Sequence, residues 1–272
     1  MLSVNTNTGA MLALQYLNKT QSELTTTQNA VSTGLKVATA KDDGAIFAIA
    51  QNMRAQVSGY QAVSDSLNRG MSTIDVALSA GQSVSDLLVE MRQKALSASD
   101  ASLDSSSRKA MDADFIALRD QITTIVQNAS FNGINLVDGS THKITALASS
   151  DGTKIITITV NSALMTLAGL SISGNISTAA LATTMVKTLD KSMAYLNSGL
   201  AYLASGSKKY SIQLSFTQKL TDTLTTGIGN LVDADMAQES AQLTALQTKQ
   251  QLGIQALAIA NQSPQIILSL FK

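Results

Sequence analysis

A spacing that alternates between three and four residues runs through the chain from Ile46 to Ala95, and twelve of its fifteen positions are apolar. This spacing is typical of the seam along which one α-helix packs on another. At a rise of 1.5 Å per residue the helix would be about 75 Å long, more than a small globular domain accommodates. Only one Pro occurs among the 272 residues, so almost nothing would interrupt such a helix. The seam residues that we expect to be buried are Ile49, Met53, Tyr60, Leu67, Ile74 and Leu88.

The second half of the chain has a matching seam. It runs from Val186 to Ile228, and ten of its thirteen positions are apolar. Shorter stripes with the same spacing cover residues 10–35 and 111–129, the latter after a break at residues 100–107 that supplies an N-cap. The predicted fold class is therefore mainly α, an elongated antiparallel helical coiled-coil rod in which N- and C-terminal helices are paired. The expected seam residues of this half are Leu196, Leu203, Tyr210 and Leu214.

Residues 132–175 have a different character. Residues 143–147 and 154–160 are rich in β-branched side chains, and a turn-forming sequence, Ser-Ser-Asp-Gly-Thr, separates them. In the second run Ile and Val alternate with Thr, so one face is apolar and the other carries hydroxyl groups. The sequence therefore predicts one small β-hairpin at the reversal of the rod, too small to be an independent domain.

Both ends of the chain lack charge, over residues 1–18 and 250–271. The nine large apolar residues of the C-terminal stretch would contribute about 18 kcal/mol if buried, at about 2 kcal/mol each. Ordering the same backbone costs about 20–40 kcal/mol, and these residues fall on all sides of a helix. We therefore expect both ends to be disordered in a monomer and to fold when several copies pack together. The residues expected in this inter-subunit packing are Leu14, Leu17, Leu24, Val31, Leu243, Leu246, Leu252, Ile254, Leu257, Ile259, Ile266, Leu268, Leu270 and Phe271.

Charge and hydropathy argue against several partners. The 19 basic and 19 acidic side chains balance, which gives no general attraction for nucleic acid or an acidic membrane. Residues 1–7 have neither the basic start nor the apolar core of a secretory signal. The C-terminal stretch is long enough to cross a bilayer, but Gln255, Asn261, Gln262 and Pro264 interrupt it and argue against a span.

The sequence offers little for catalysis. The single His, His142, precedes the first predicted strand, where we expect an exposed loop residue. Three carboxylate pairs lie beside predicted helix starts, where Asp stabilises the helix dipole more simply than it would hold Ca²⁺ or act in acid–base catalysis. Nucleotide-binding and zinc-protease motifs do not occur, and the basic pair Lys208-Lys209, with no aromatic interleaving, indicates a solvated face. We expect no catalytic residue, no cofactor and no metal. The carboxylate pairs are Asp42 with Asp43, Asp112 with Asp114, and Asp233 with Asp235.

Several ordered motifs resemble those of bacterial flagellins. Leu-Val-Asp-Ala-Asp-Met-Ala-Gln-Glu-Ser, at residues 231–240, and Gln-Gln-Leu-Gly-Ile-Gln-Ala-Leu, at 250–257, are similar to the C-terminal signature of that family, as is the ending at 259–264. Residues 32–43 are similar to the N-terminal signature, and residues 131–139 to the loop that leads into the hairpin. The resemblance extends over residues 1–139 and 178–272, which is nearly the whole chain.

The resemblance implies a structural protein that self-assembles into the bacterial flagellar filament, the propeller of swimming cells. It implies an inner domain of residues 1–40 and 230–272 that orders on assembly around a central channel. Residues 41–139 and 175–229 would form the outer helical rod domain, with the hairpin at 140–174 within it. Small shifts between subunits in such filaments produce different supercoils.

The resemblance also implies a route to the cell exterior. Flagellins are exported unfolded through the flagellar type III apparatus, without a cleaved signal peptide, and a chaperone holds the C-terminal segment. They assemble under a filament cap, beyond the hook–filament junction proteins. The chain would therefore be extracellular and would have its own copies, the chaperone, the cap and the junction proteins as partners.

Two features depart from many flagellins. Only the hairpin stands where a large variable outer domain is common, so a thin, smooth filament like that of short alphaproteobacterial flagellins is expected. In the patch that an innate immune receptor recognises, residues 89–96, Arg92 fits the usual pattern, but Gln93 replaces Glu and Lys94 replaces Leu, which argues against receptor activation. Alternative hypotheses are a hook–filament junction protein, which shares similar end helices, and a flagellin-like surface adhesin.

Overall fold

The computed structural model describes residues 6–160 and 165–269; the side chains of residues 263–269 are not described. The helices are α1 (Thr8–Thr33), α2 (Gly44–Ala98), α3 (Ser105–Asn128), α4 (Ala179–Val232) and α5 (Met236–Ser269). The strands are β1 (Ser130–Phe131), β2 (Ile134–Asn135), β3 (Lys143–Leu147) and β4 (Ile155–Thr159). The predicted class, mainly α with a small β-hairpin, here β3–β4, is confirmed. Strands β1 and β2 form a second, shorter antiparallel pair.

The helix ends have clear local causes. The Asp104 carboxylate accepts hydrogen bonds from the backbone N–H groups of Ser106 and Ser107 at 2.7 and 2.8 Å, which caps α3 within the predicted break. The Asn7 side chain caps α1, accepting from the Ala10 N–H at 3.0 Å. Gly34 ends α1 in the left-handed conformation with φ of 71°, which a residue without Cβ adopts at little cost.

Backbone packing divides the chain into two compact units. One contains the described residues up to Ala55 and those from Thr223 onward, and the other is Gln56–Asp222. These divisions lie within α2 and α4.

The core of Gln56–Asp222 follows the predicted seams. Buried residues of α2 repeat at intervals of three and four from Val63 to Ala98, and they pack with residues of α3, α4 and the hairpin. Tyr60 and Leu214 are half-buried against the same core. The fully buried seam residues of our prediction are Leu67, Ile74, Leu88, Leu196, Leu203 and Tyr210.

Ile49 departs from the predicted seam. Its side chain is 50% exposed, whereas its neighbour Ala50 is fully buried in a small cluster with Val37 and Val232. Met53, the other predicted seam residue of this part of α2, is half-buried. The helical repeat of 3.6 residues drifts against a seam of period 3.5, and in this unit the drift shifts the buried position by one residue.

The β3–β4 hairpin packs on α4 through a buried tyrosine. The two strands are antiparallel, and the face containing Ile144, Ala146 and Ile158 is buried while the threonines face outward. The Tyr210 hydroxyl donates to the backbone carbonyls of Ile144 and Ile156, with distances of 3.1 and 3.2 Å. This one side chain therefore links the two strands to the helix.

Replacing Tyr210 by Phe should lower the free energy of unfolding at pH 7 by about 1–2 kcal/mol, because the two carbonyls lose their donor. Burial raises the pKa of Tyr210 to about 12, above the value of about 10 of an exposed tyrosine. At a pH between these two pKa values the unfolded chain releases the phenolic proton and the folded chain keeps it. The free energy of unfolding therefore falls as the pH rises through this range. Urea denaturation should show that the parent protein loses about 1.4 kcal/mol more than the Phe variant between pH 7 and 11. Equal losses in the two proteins would contradict this role of Tyr210.

Candidate assembly surface

Helices α1 and α5 form an antiparallel pair. The Asn7 side-chain amide donates to the Ala260 carbonyl at 2.7 Å, and the Gln250 amide donates to Gln21 Oε1 at 2.6 Å. At the other end of the pair, Leu35 and Asp233 form an antiparallel bridge. These contacts place the N-terminal end of α1 beside the C-terminal part of α5.

The seam between α1 and α5 contains few large side chains. Leu24 and Leu246 are buried, and Leu17, Val31, Leu243 and Leu257 are half-buried. Thr27 is also buried, and Gly253 lies so near α1 that an added Cβ would be 3.2 Å from Leu17 Cδ1. Small and polar residues at these positions give each helix less apolar burial than the Leu-rich seam of a stable coiled coil.

Large apolar side chains remain exposed on the outside of this pair. Leu252 and Ile259 lie seven residues apart on α5, on the side away from α1, and are 58% and 70% exposed. Leu14 and Ile254, at the flanks of the seam, are 48% and 55% exposed. We call the full set the outer apolar surface: Met11, Leu12, Leu14, Tyr16, Met236, Leu252, Ile254 and Ile259.

The predicted packing residues thus fall into two groups. Leu17, Leu24, Val31, Leu243, Leu246 and Leu257 lie between α1 and α5, and Leu14, Leu252, Ile254 and Ile259 belong to the outer apolar surface. The side chains of Ile266 and Leu268 lie outside the described atoms, and Leu270 and Phe271 lie outside the described residues.

Sequence reasoning missed part of this surface. Tyr16 and Gly253 line a groove of about 360 Å³. Lys19 and Glu23, an ion pair at 3.9 Å, lie at the same groove with Lys249. The signal in the sequence was the cluster Met11, Leu12, Leu14 and Tyr16, too dense in apolar residues for a helix with a single buried stripe.

Five of the six carboxylates in the three pairs have structural roles. Asp42 accepts from the N–H groups of Ala38 and Thr39, and the hydrogen bonds with Thr39 are the main reason that its pKa is lowered. Asp43 caps α2 and Asp235 caps α5.

Asp112 accepts from the Ile176 N–H at 2.7 Å, and Asp114 pairs with Lys94 at 2.7 Å. The His142 carbonyl accepts from the Val160 N–H at 2.8 Å, in register with the hairpin. Within the described residues, no three His, Cys, Asp or Glu side chains are grouped in a way that could hold a metal ion. Among the described helices, none has the length and hydropathy needed to cross a membrane.

Paired helices with an apolar outer surface define a structural protein that packs against other protein chains. The chain belongs to the bacterial flagellins: it matches the models of the bacterial flagellin N-terminal helical region over residues 4–142 and of the C-terminal helical region over 186–271. It is 53% identical to flagellin FljK of Caulobacter vibrioides over 272 residues, covering 99% of this chain and 98% of the relative. It is 34% identical to a flagellin of Brucella melitensis, with both chains covered in full. A crystal structure of Bacillus cereus flagellin, 21% identical, matches 55% of this chain and 86% of its own with a TM-score of 0.49.

Family membership settles the broad function. The protein is a structural subunit of the extracellular bacterial flagellar filament, and it is not an enzyme. The resemblance seen in the sequence, including the short alphaproteobacterial type, is confirmed.

Proposed function

We propose that the outer apolar surface forms the contacts between neighbouring subunits in the interior of the filament. The observation that carries this proposal is the position of Leu252 and Ile259, which are more than half exposed on the side of α5 away from α1. Exposed apolar patches of this kind are typical of protein–protein contact sites. Because α1 contributes similar residues, neighbouring copies could surround the pair on more than one side.

The energetics favour contact through many copies. Burying the exposed half of a Leu or Ile side chain contributes about 1 kcal/mol, so the eight residues of the outer apolar surface could contribute about 8 kcal/mol per subunit. The inner seam of the α1–α5 pair has too few large side chains to provide a comparable amount. We infer that this pair orders fully only when assembly covers its outer side, which agrees with the charge-free sequence of both ends.

Replacing Leu252 and Ile259 by Ser should raise the critical concentration for polymerisation about thirtyfold, because assembly loses about 2 kcal/mol per subunit. Sedimentation of the polymer after seeded assembly measures this concentration, and electron microscopy shows whether filaments form. Both residues point away from α1, so the substitutions leave the contacts of the described seam intact.

The matched control replaces Gln251 and Gln255 by Ser, two exposed polar residues of the same helix. It should assemble at the parent concentration. If the Leu252→Ser/Ile259→Ser variant polymerised as readily as this control, the outer apolar surface would not be an inter-subunit contact.

We further propose that residues 1–40 and 230–272 act as the inner domain and that residues 41–139 and 175–229, with the hairpin at 140–174, act as the outer one. We also infer export in an unfolded state without a cleaved signal peptide, with a chaperone on the C-terminal segment. The filament cap and the hook–filament junction proteins would be the remaining partners. Family membership and the weak inner seam of the α1–α5 pair support these assignments.

A further inference from the structure

All sulfur atoms of this chain belong to methionine. The sequence has ten methionines and no cysteine, and the structure describes every methionine except Met1. A thioether accepts an oxygen atom from a peroxide, and the product, methionine sulfoxide, is polar where methionine is apolar. The place of each methionine in the fold therefore decides what oxidation does to the protein.

Two of the methionines that the structure describes have exposed side chains. Met11 is 64% exposed and Met236 is 43% exposed. The other described methionines are buried or half-buried, and Met91 and Met165 are buried completely. A peroxide dissolved in water has to reach the sulfur atom before it can react. Met11 and Met236 are therefore the methionines of the folded subunit that we expect to be oxidised first.

Both exposed methionines belong to the outer apolar surface. Met11 lies in the first turn of α1, and Met236 is the first residue of α5. Because Asn7 contacts Ala260 in this antiparallel pair, the two methionines lie near opposite ends of it. The outer apolar surface thus has one oxidisable thioether near each of its ends.

We propose that Met11 and Met236 are oxidation sites through which a peroxide blocks assembly of the folded subunit. The inference rests on the function proposed for the outer apolar surface and adds a way to regulate it. The thioether sulfur attacks one oxygen of hydrogen peroxide, the O–O bond breaks and an S–O bond forms. The sulfur is oxidised by two electrons, the peroxide is reduced by two electrons, and water leaves.

Oxidation at these sites affects assembly more than folding. In the monomer the added oxygen atom stays in contact with water, so the folded state loses little. In a contact between subunits the same S–O group gives up its water, and burial of a polar group without a partner is unfavourable. Each subunit that joins the polymer brings two such groups. Oxidised subunits should therefore stay folded without extending a filament.

The sites are open to a peroxide only before assembly. Once neighbouring copies cover the outer apolar surface, the reagent no longer reaches either side chain. Reduction of the sulfoxide restores the thioether, so an oxidised subunit regains the ability to assemble. Oxidation should therefore act reversibly on free subunits and leave the interior of a finished filament unchanged.

Brief treatment of the folded monomer with hydrogen peroxide tests the proposal. Mass spectrometry of peptides should locate the first added oxygen atoms at Met11 and Met236, with Met91 and Met165 unmodified. The critical concentration for polymerisation should rise at least about tenfold once both exposed methionines are oxidised. Methionine sulfoxide reductases that act on the two epimers, with dithiothreitol as the reductant, should restore the parent concentration. The same treatment of the polymer should leave Met11 and Met236 unmodified.

Substitutions separate these two sites from oxidation elsewhere. The variant Met11→Leu/Met236→Leu keeps apolar side chains of similar size and should assemble equally well before and after treatment with peroxide. The matched control Met71→Leu/Met193→Leu changes two half-buried methionines at the larger core, and it should lose assembly after treatment as the parent does. The variant Met11→Gln/Met236→Gln introduces polar groups without an oxidant and should raise the critical concentration of untreated protein. Circular dichroism of each monomer establishes that the fold is intact.

The inference is wrong if the parent oxidised at Met11 and Met236 polymerises like untreated protein, or if the Met11→Leu/Met236→Leu variant loses assembly after treatment as the parent does. Equal rates of oxidation at these sites in monomer and polymer would also contradict it. Normal assembly of the oxidised parent, together with loss of assembly by Leu252→Ser/Ile259→Ser, would overturn this inference alone. Normal assembly of Leu252→Ser/Ile259→Ser would instead overturn the function proposed for the outer apolar surface.

Discussion

Deletion of residues 250–272 should abolish polymerisation while the unit Gln56–Asp222 stays folded. The deletion removes Leu252, Ile254 and Ile259 from the outer apolar surface, and it removes Leu257 from the inner seam. The start of α1 then loses its helical partner, because Asn7 contacts Ala260 in the intact pair. A loss of several kcal/mol per subunit raises the critical concentration beyond any practical protein concentration.

Sedimentation and electron microscopy measure the loss of filaments, and thermal unfolding followed by circular dichroism provides the control. The main transition of the truncated monomer should coincide with that of the full-length monomer, because the deleted residues whose side chains the structure describes, 250–262, are not part of the larger core. The full-length protein should also gain helix on polymerisation if α1 and α5 order on assembly. Normal filaments from the truncated chain, or equal helix content in monomer and polymer, would each contradict the proposed role of the chain ends.

The parts of the fold that could be predicted from the sequence are those governed by local periodicity. A stripe that repeats over fifty residues specifies both a helix and its buried side, and α2 keeps that side from Val63 to Ala98. The cap at Asp104 and the hairpin strands likewise depend on short segments whose side chains act on nearby backbone. The fold class followed because an antiparallel pairing of the helices buries two such stripes most simply.

What the sequence could not specify depends on contacts between distant segments. Ile49 and Leu14 have the spacing of seam residues, but the buried positions in α2 and α1 near them are Ala50 and the half-buried Ala13. Which of two adjacent apolar residues faces inward depends on helix phase, and the partner helix sets that phase. The short hairpin β1–β2 was also missed; its turn places Asn132 and Gly133 at φ of 49° and 78°, for which an Asn-Gly pair in the sequence is the signal.

The sequence also did not specify which residues of α1 and α5 form the outer apolar surface. Charge-free ends indicated burial between copies, but they did not indicate which residues pack within the chain and which face a neighbour. Leu246 and Leu252 are both large, apolar and close in sequence, yet one is buried against α1 and the other is 58% exposed. Only the position of the second helix separates these two roles.

Replacing Gly70 by Ala should destabilise the protein by about 2–3 kcal/mol, although Ala is the better helix former. An added Cβ at this position would lie 2.6 Å from Cε2 of the Tyr210 ring, which is far inside van der Waals contact. The ring cannot turn aside, since it is fully buried and its hydroxyl donates to the carbonyls of the hairpin. The clash therefore has to be relieved by moving α2 away from α4, which opens the packed core around Leu67 and Leu203. Chemical denaturation of the monomer measures the loss.

The matched control is Gly44→Ala at the exposed start of α2, where no atom lies within 4 Å of an added Cβ. This substitution should change the free energy of unfolding by less than about 1 kcal/mol, in the stabilising direction that helix propensity favours. Combining Gly70→Ala with Tyr210→Leu, which removes the ring, should cost less than the sum of the two single changes, because the clash is then absent. If Gly70→Ala stabilised the protein as Gly44→Ala does, the close approach of α2 and α4 at Tyr210 would not exist in solution. The comparison thus separates two kinds of glycine in α2. Gly70 is required by the contact with Tyr210 of α4, whereas Gly44 makes no contact that requires a glycine.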